Sequence, residues 1–128
     1  MKNNIETGKI GENIAQKHLR DNKYLILGKN HKEKYYEIDI IARNTNGTLI
    51  FCEVKTMNRE GINIDYKERF MPEDHLDRSK YLKLSHAAEL FLFKNPRAVT
   101  EGSGWQIDLI AVELNNGVLY DLRHYENI

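Results

Sequence analysis

The sequence predicts an α/β protein in which a mixed central β-sheet is flanked by helices, in the element order α-β-β-β-α-β-β. Three observations predict it. Two segments carry apolar residues at helical spacing, two strand-like runs are joined by Thr45-Asn46-Gly47, and a late run, "GWQIDLIAVEL", has few polar breaks before the turn "NNG". A strand that is apolar on both sides belongs in the middle of a covered sheet. A helical stripe needs such a sheet to bury against. At 128 residues the chain is expected to form a single domain, residues 1–128, with a core of its own.

The first helix is expected over residues 6–22, with Thr7 as its cap. Its stripe is Gly8, Glu12, Ala15 and Leu19, with Ile5 before it. Glu12 is thus a carboxylate on the core-facing side, unless the helix rotates slightly and turns it to water. "YLILGKN" reads as a strand and "KNHKEK" as a basic segment without pattern. A hairpin, "YEIDIIARNTNGTLIFCEVKTM", supplies the next two strands. Residues 57–77 read as a long polar loop, expected to be mobile, to close over a substrate or to form an oligomer contact. The second helix is expected over residues 76–94, before Pro96, with the stripe Leu84, Ala87, Ala88, Phe91 and Leu92 and with Lys80 on the same side. "VLYDLRHY" is the last strand.

Composition narrows the function. Lys and Arg number 19, as do Asp and Glu, so the net charge is zero. Coating of nucleic acid or of an anionic membrane by bulk charge is excluded, although local patches are not. The only cysteine, Cys52, lies in an apolar strand, which points to a core position and excludes an internal disulfide and a cysteine zinc cluster. The five histidines are scattered. "MKNNIETGKI" has no apolar signal core, and no apolar run reaches membrane-spanning length. A cytoplasmic protein without a membrane partner is expected.

The register of the hairpin decides whether its charges meet. A two-residue turn would mix polar and apolar residues on both faces. A three-residue loop, Thr45-Asn46-Gly47 with Gly in the left-handed position, sets Asp39 opposite Glu53, Glu37 opposite Lys55 and Ile41 opposite Phe51. The other face is then Ile38, Ile40, Ala42, Ile50, Cys52 and Val54, without a polar side chain. That clean segregation favours the second register, as a bulge near Asp39 also would. Opposed side chains lie roughly 5 Å apart at Cβ, where like charges repel. A divalent cation removes the conflict, because Mg²⁺, or Mn²⁺, takes hard carboxylate oxygens. Asp39 and Glu53 become candidate ligands and catalytic groups. Lys55 can orient or deprotonate a water, or neutralise a phosphate. Glu12 can complete the metal site if its stripe packs over the same face.

These residues also carry a resemblance. "YEID" followed by "FCEVK" resembles the Asp…Glu-x-Lys core of the restriction-endonuclease-like nucleases. More closely and nearly end to end, the chain is similar to the YraN-like family of bacterial proteins, through "GKIGENIAQKHL", "GKN", "EIDIIA", "IFCEVKT", "KYLKLSHAAELFL" and "WQIDLIAVEL". The resemblance implies a restriction-endonuclease-like fold, close to that of archaeal Holliday-junction resolvases, with Glu12, Asp39 and Glu53 binding Mg²⁺ and Lys55 as the catalytic lysine. Tyr36, Met57 and Gln106 stand where the family usually has Gly, Arg and Arg.

The leading expectation is a Mg²⁺-dependent nuclease acting on nucleic acid, DNA before RNA, and on structured or branched substrates. Lys80, Lys83 and Arg78 are candidates for backbone phosphate contacts, and residues 29–34 form a second basic patch. Two alternatives stay open: a nucleic-acid-binding module of the same fold that does not cleave, and a scaffold that binds another protein. A homodimer would suit a symmetric substrate.

Overall fold

α1 (Asn4–Asp21) is followed by β1 (Leu25–Glu33), β2 (Tyr36–Arg43) and β3 (Leu49–Arg59). A 3-10 turn (Pro72–His75) and α2 (Arg78–Lys94) lead to β4 (Trp105–Asn115) and β5 (Val118–Tyr125). This computed structural model describes residues 4–34, 36–60, 71–99 and 102–128. The strands form one sheet in the order β1-β2-β3-β4-β5. Only the β3–β4 pair is parallel, so the chain crosses over between them by way of the turn and α2. The expected order of elements and the mixed sheet are both found.

The helices cover opposite faces. Ala15 and Leu19 of α1 pack on Ile40, Ala42, Ile50, Cys52 and Val54, with Ile110, Val112 and Leu114 beside them. Leu84, Ala87 and Ala88 of α2 pack on Ile38, Ile41, Leu49, Phe51 and Ile107. Strand alternation alone generates most of this partition. Cys52 is a buried core residue.

The hairpin between β2 and β3 has the register that the segregation of side chains favours. Ile41 pairs with Phe51, and Arg43 with Leu49. The loop closes through Asn44 N–H donating to Thr48 O at 3.0 Å, with Gly47 at φ 84°. Asn44 Oδ1 accepts from the N–H of Asn46 and Thr48, which fixes the turn. Asn116 and Gly117 lie at φ 51° and 79°, the left-handed pair that a two-residue hairpin needs between β4 and β5.

Several boundaries differ from expectation. α1 starts by Asn4, and Thr7 is a buried residue inside it rather than its cap. β1 continues through the basic segment to Glu33, because its backbone pairs with β2 as far as Tyr36 and that pairing outweighs a poor side-chain pattern. β3 runs to Arg59, three residues into the expected loop, held by parallel pairing with Asn115. Residues 61–70 of that loop lie outside the described residues. α2 begins at Arg78 rather than 76, since Asp77 caps it by accepting from Lys80 N–H at 2.9 Å. Ile38 packs under α2 with Ile41, while Ile40 packs under α1. Ile38 is therefore not on the face of Ile40, and the alternation breaks at Asp39.

Candidate active site

The break at Asp39 builds the site. β2 and β3 pair no further than Ile40 with Cys52. Beyond that pair the Asp39 side chain takes over from the ladder, Oδ2 accepting from Val54 N–H at 2.8 Å. Across β1 the partner position is Asn30, whose φ of 50° marks a matching irregularity. Strand pairs that splay like this re-aim side chains sideways, as bulges do beside many active sites. Asp39 and Glu53 thus share the predicted register but not a ladder pair.

Glu53 is 4% exposed on the α2 side of β3. Lys55, two residues on, places Nζ 3.2 Å from Glu53 Oε1. Its other oxygen, Oε2, is buried without a hydrogen-bond partner. Lys55 therefore meets Glu53, not Glu37 as the flat register predicts. Glu37 instead faces Asn30 and Glu12. With its amide nitrogen turned to the acids, Asn30 donates to Glu37 Oε1 at 3.0 Å and to Glu12 Oε2 at 3.1 Å.

The acids repel one another in a partly dry space. Burial, then the Glu53 charge, pushes the Asp39 carboxyl up to about 8, although the Val54 N–H opposes this. Burial also raises Glu53, against the pull of Lys55. Glu12 is raised by burial, then by Glu37 and Glu53. The Tyr36 phenol lies against the same pair, raised by burial and then by Glu53 and Asp39.

α1 is brought in by a glycine. A Cβ on Gly11 would stand 1.7 Å from Thr56 Oγ1 of β3, so only glycine admits this approach. The next residue is Glu12. Its carboxylate reaches the edge of the group from the α1 side, half-buried and beside Asn30.

The donors fit a hard divalent cation. They are carboxylate oxygens, one of them buried and unpartnered, in surroundings where burial and neighbouring acids raise the pKa of Asp39 and Glu12, and burial that of Glu53. Among the described residues, no group of three His, Cys, Asp or Glu side chains is set to enclose an ion. Asp39 and Glu53 are the residues that could hold such an ion, with waters and substrate oxygens needed to complete its shell.

A family model for the uncharacterised protein family UPF0102 matches residues 11–112, from Gly11 through the late strand. The chain belongs to this family. UPF0102 sits in the restriction-endonuclease-like superfamily, which agrees with the observed α/β architecture. A UPF0102 protein of Fervidobacterium nodosum is 39% identical over 128 aligned residues, covering 98% of this chain and 83% of that one. One from Persephonella marina is 33% identical over 109 residues, covering 85% and 84%. One from Clostridium botulinum is 33% identical over 112 residues, covering 88% and 83%.

The three basic candidates on α2 separate. Lys83 lines a groove with Tyr36, whose phenol is acted on by the Glu53 and Asp39 charges, while none of the site's acids lines the groove itself. Arg78 lines a different groove, with Tyr81, Tyr125 and Ile128. Lys80 is half-buried at the first turn of α2. Of residues 29–34, Lys34 joins the groove of Lys83.

Two polar clusters escaped the sequence. Asp108, fully buried, accepts from Gln106 Nε2 at 2.9 Å and from Asn127 N–H at 2.9 Å. It also meets His124 Nε2 at 2.8 Å, and His124 Nδ1 meets His18 Nε2 at 3.0 Å. Burial, then His124, lowers the pKa of His18. Glu113, also fully buried, is held by Arg59 at 3.2 Å and Arg123 at 2.6 Å, and Arg123 reaches on to Glu73. The available signal was a lone acid inside an apolar strand, at Asp108 and again at Glu113. Both clusters hold β5 and its flanks to the sheet. No helix among the described residues is long and apolar enough to cross a membrane.

Proposed function

We propose that this UPF0102 protein is a Mg²⁺-dependent nuclease that hydrolyses phosphodiester bonds in DNA. The observation that carries it is the pair of buried carboxylates at the β2–β3 split, with the unpartnered Glu53 Oε2 and with Lys55 against the other Glu53 oxygen. Two like charges are costly there unless a cation joins them.

Asp39 and Glu53 would hold the ion, with Glu12 behind them. Held there, Mg²⁺ would supply Lewis-acid chemistry for phosphodiester hydrolysis. The chain's own groups do the rest. Val54 N–H fixes the rotamer of Asp39. Lys55 holds one oxygen of Glu53 and leaves the other without a hydrogen-bond partner. Its ammonium offsets the charge of an entering phosphate and orients the attacking water. The Tyr36 phenol, kept protonated, walls the site toward the groove of Lys83.

Mg²⁺ and Mn²⁺ titrated by calorimetry test the centre, followed by cleavage of labelled branched and single-stranded DNA. Binding in the micromolar to millimolar range that is lost in Asp39→Asn supports it. Lys55→Ala should keep the binding and lose the cleavage. Cleavage that survives both substitutions would place the chemistry elsewhere.

A further inference from the structure

Away from the acid pair, His18 in the last turn of α1 meets His124 of β5. Nε2 of His18 lies 3.0 Å from Nδ1 of His124, and the rings meet edge to face with centroids 5.2 Å apart. The other nitrogen of each ring also has a partner. His124 Nε2 lies 2.8 Å from Oδ2 of Asp108, and His18 Nδ1 lies 3.4 Å from Nδ2 of Asn22. Asp108 is fully buried in β4. Helix, edge strand and inner strand are thus joined by one row of hydrogen bonds.

The ends of the row set its direction. Asp108 already accepts from Gln106 and from Asn127 N–H at Oδ1, and its Oδ2 accepts the Nε2 proton of His124. In a neutral ring the second nitrogen is then an acceptor, so His124 Nδ1 takes an N–H from His18. That leaves His18 Nδ1 to accept from Asn22. With both rings neutral, every nitrogen has a partner of the right kind. One added proton is accommodated, because His124 can then donate to a bare Nε2 on His18. A second is not. Two N–H groups and two positive charges would face each other across 3.0 Å. The pair takes its second proton only by parting.

The groups around the pair do not remove this conflict. Burial and then His124 lower the pKa of His18 below its ordinary 6.5, against the opposing charge of Asp21. Asp21 is itself bound to Lys17 at 2.7 Å. Tyr24 packs against His124 and donates to Glu126. Its phenol, pushed up to about 12 by burial and then by Glu126, stays neutral. From the sheet come Asp108 and, paired with it in the β3–β4 ladder, the buried thiol of Cys52. Beyond His124 the chain is laid back on the fold by Glu126 with Tyr24, by Asn127 with Asp108 and by Ile128 N–H with Ile107 O.

We propose that His18 and His124 form an acid-sensitive clamp between α1 and β5, which neutral rings hold shut and a proton on each ring opens, loosening residues 124–128. None of its residues belongs to the acid site, so the clamp stands apart from the nuclease reading. A histidine whose folded pKa lies below its unfolded value stabilises above about 6.5 and loses that contribution as pH falls.

Hydrogen exchange of the full chain, read by mass spectrometry at about pH 7.5 and about pH 5 and corrected for intrinsic rates, measures the opening. A ring that titrates at 6.5 when open and takes no proton when shut opens about 30-fold more often at the lower pH. Protection should fall by about that factor in residues 118–128 and 15–22, with no matching fall in β2. His18→Gln keeps an N–H for His124 and cannot be charged, so its protection should stay within about twofold between the two conditions. Unchanged protection in the native chain, or an equal fall in His18→Gln, overturns the proposal. Nitrogen NMR of the native imidazoles decides independently of how the variant folds. Both rings doubly protonated at about pH 5 with residues 118–128 still protected would overturn the clamp, and doubly protonated rings that appear together with the loss of protection support it.

Discussion

Gly11→Ala isolates the contact that docks α1 on the sheet. In an ordinary helix this change stabilises by about 1 kcal/mol, since alanine costs less backbone entropy than glycine. Here the new methyl would lie 1.7 Å from Thr56 Oγ1 and 2.7 Å from Thr56 Cβ and Cγ2. Non-bonded carbon atoms rest about 3.5–4.0 Å apart, so α1 and β3 must separate by roughly 1 Å. Rotation about χ1 of Thr56 moves Oγ1 and Cγ2 but leaves Cβ where the strand holds it. Overpacking of this kind costs typically about 1–3 kcal/mol, and contacts this short belong at the upper end. The net expectation is a loss of about 2 kcal/mol, read as a urea midpoint lower by about 1 M. Gly8→Ala is the control in the same helix, with nothing within 4 Å of the added methyl, and should raise the midpoint. Thr56→Ala placed in Gly11→Ala should recover only part of the loss, because it removes Oγ1 and Cγ2 but keeps Cβ at 2.7 Å. Because Glu12 follows Gly11 directly, the variant should also weaken Mg²⁺ binding. Stability of Gly11→Ala equal to or above that of the native protein would refute the close-approach argument.

Other outcomes follow from the electrostatics. In the absence of divalent metal, the Asp39 carboxyl titrates near 8 when folded and near 3.8 when unfolded, so the folded state binds the proton more tightly. That contribution to stability is present below about 3.8 and is lost as pH rises to about 8. Denaturation across this window should show a fall in stability that Asp39→Asn flattens and that Mg²⁺ offsets at the upper end; identical pH slopes in the two proteins would rule it out. Arg123→Ala leaves fully buried Glu113 with Arg59 and cuts β5 from Glu73. It should cost about 3 kcal/mol by urea denaturation, with Arg123→Leu combined with Glu113→Leu recovering much of it. In the same cluster the Glu73 carboxyl is held at about 2, mainly by Arg123. That contribution is present above the ordinary carboxylate pKa of about 4.5 and is lost as pH falls toward 2, so Arg123→Ala should also reduce sensitivity to acid.

The order of elements, the pairing of β2 with β3 and the closeness of Asp39, Glu53 and Lys55 are legible along the chain. Each rests on local parity. Alternation has a period of two, and with the Asn46-Gly47 turn only one loop length puts all the apolar residues of Ile50, Cys52 and Val54 with those of Ile40 and Ala42. Tertiary structure decided what parity cannot express. It turned Ile38 to the α2 face, because the strands splay at Asp39 and a splayed strand no longer alternates. It gave Glu37 to Asn30 and Glu12 rather than to Lys55, because pairing of β2 with β3 ends one residue before the acids. It carried β1 and β3 past their apolar runs, because a paired backbone does not need patterned side chains. Glu113 gathered Arg59 and Arg123, and through Arg123 also Glu73, from separate elements. Such meetings depend on how helices and strands dock across the whole fold, and no window of the chain contains that information. The groove of Lys83 and Tyr36 is of the same kind, since a helix stripe becomes a cleft only when the β1–β2 connection is laid beside it.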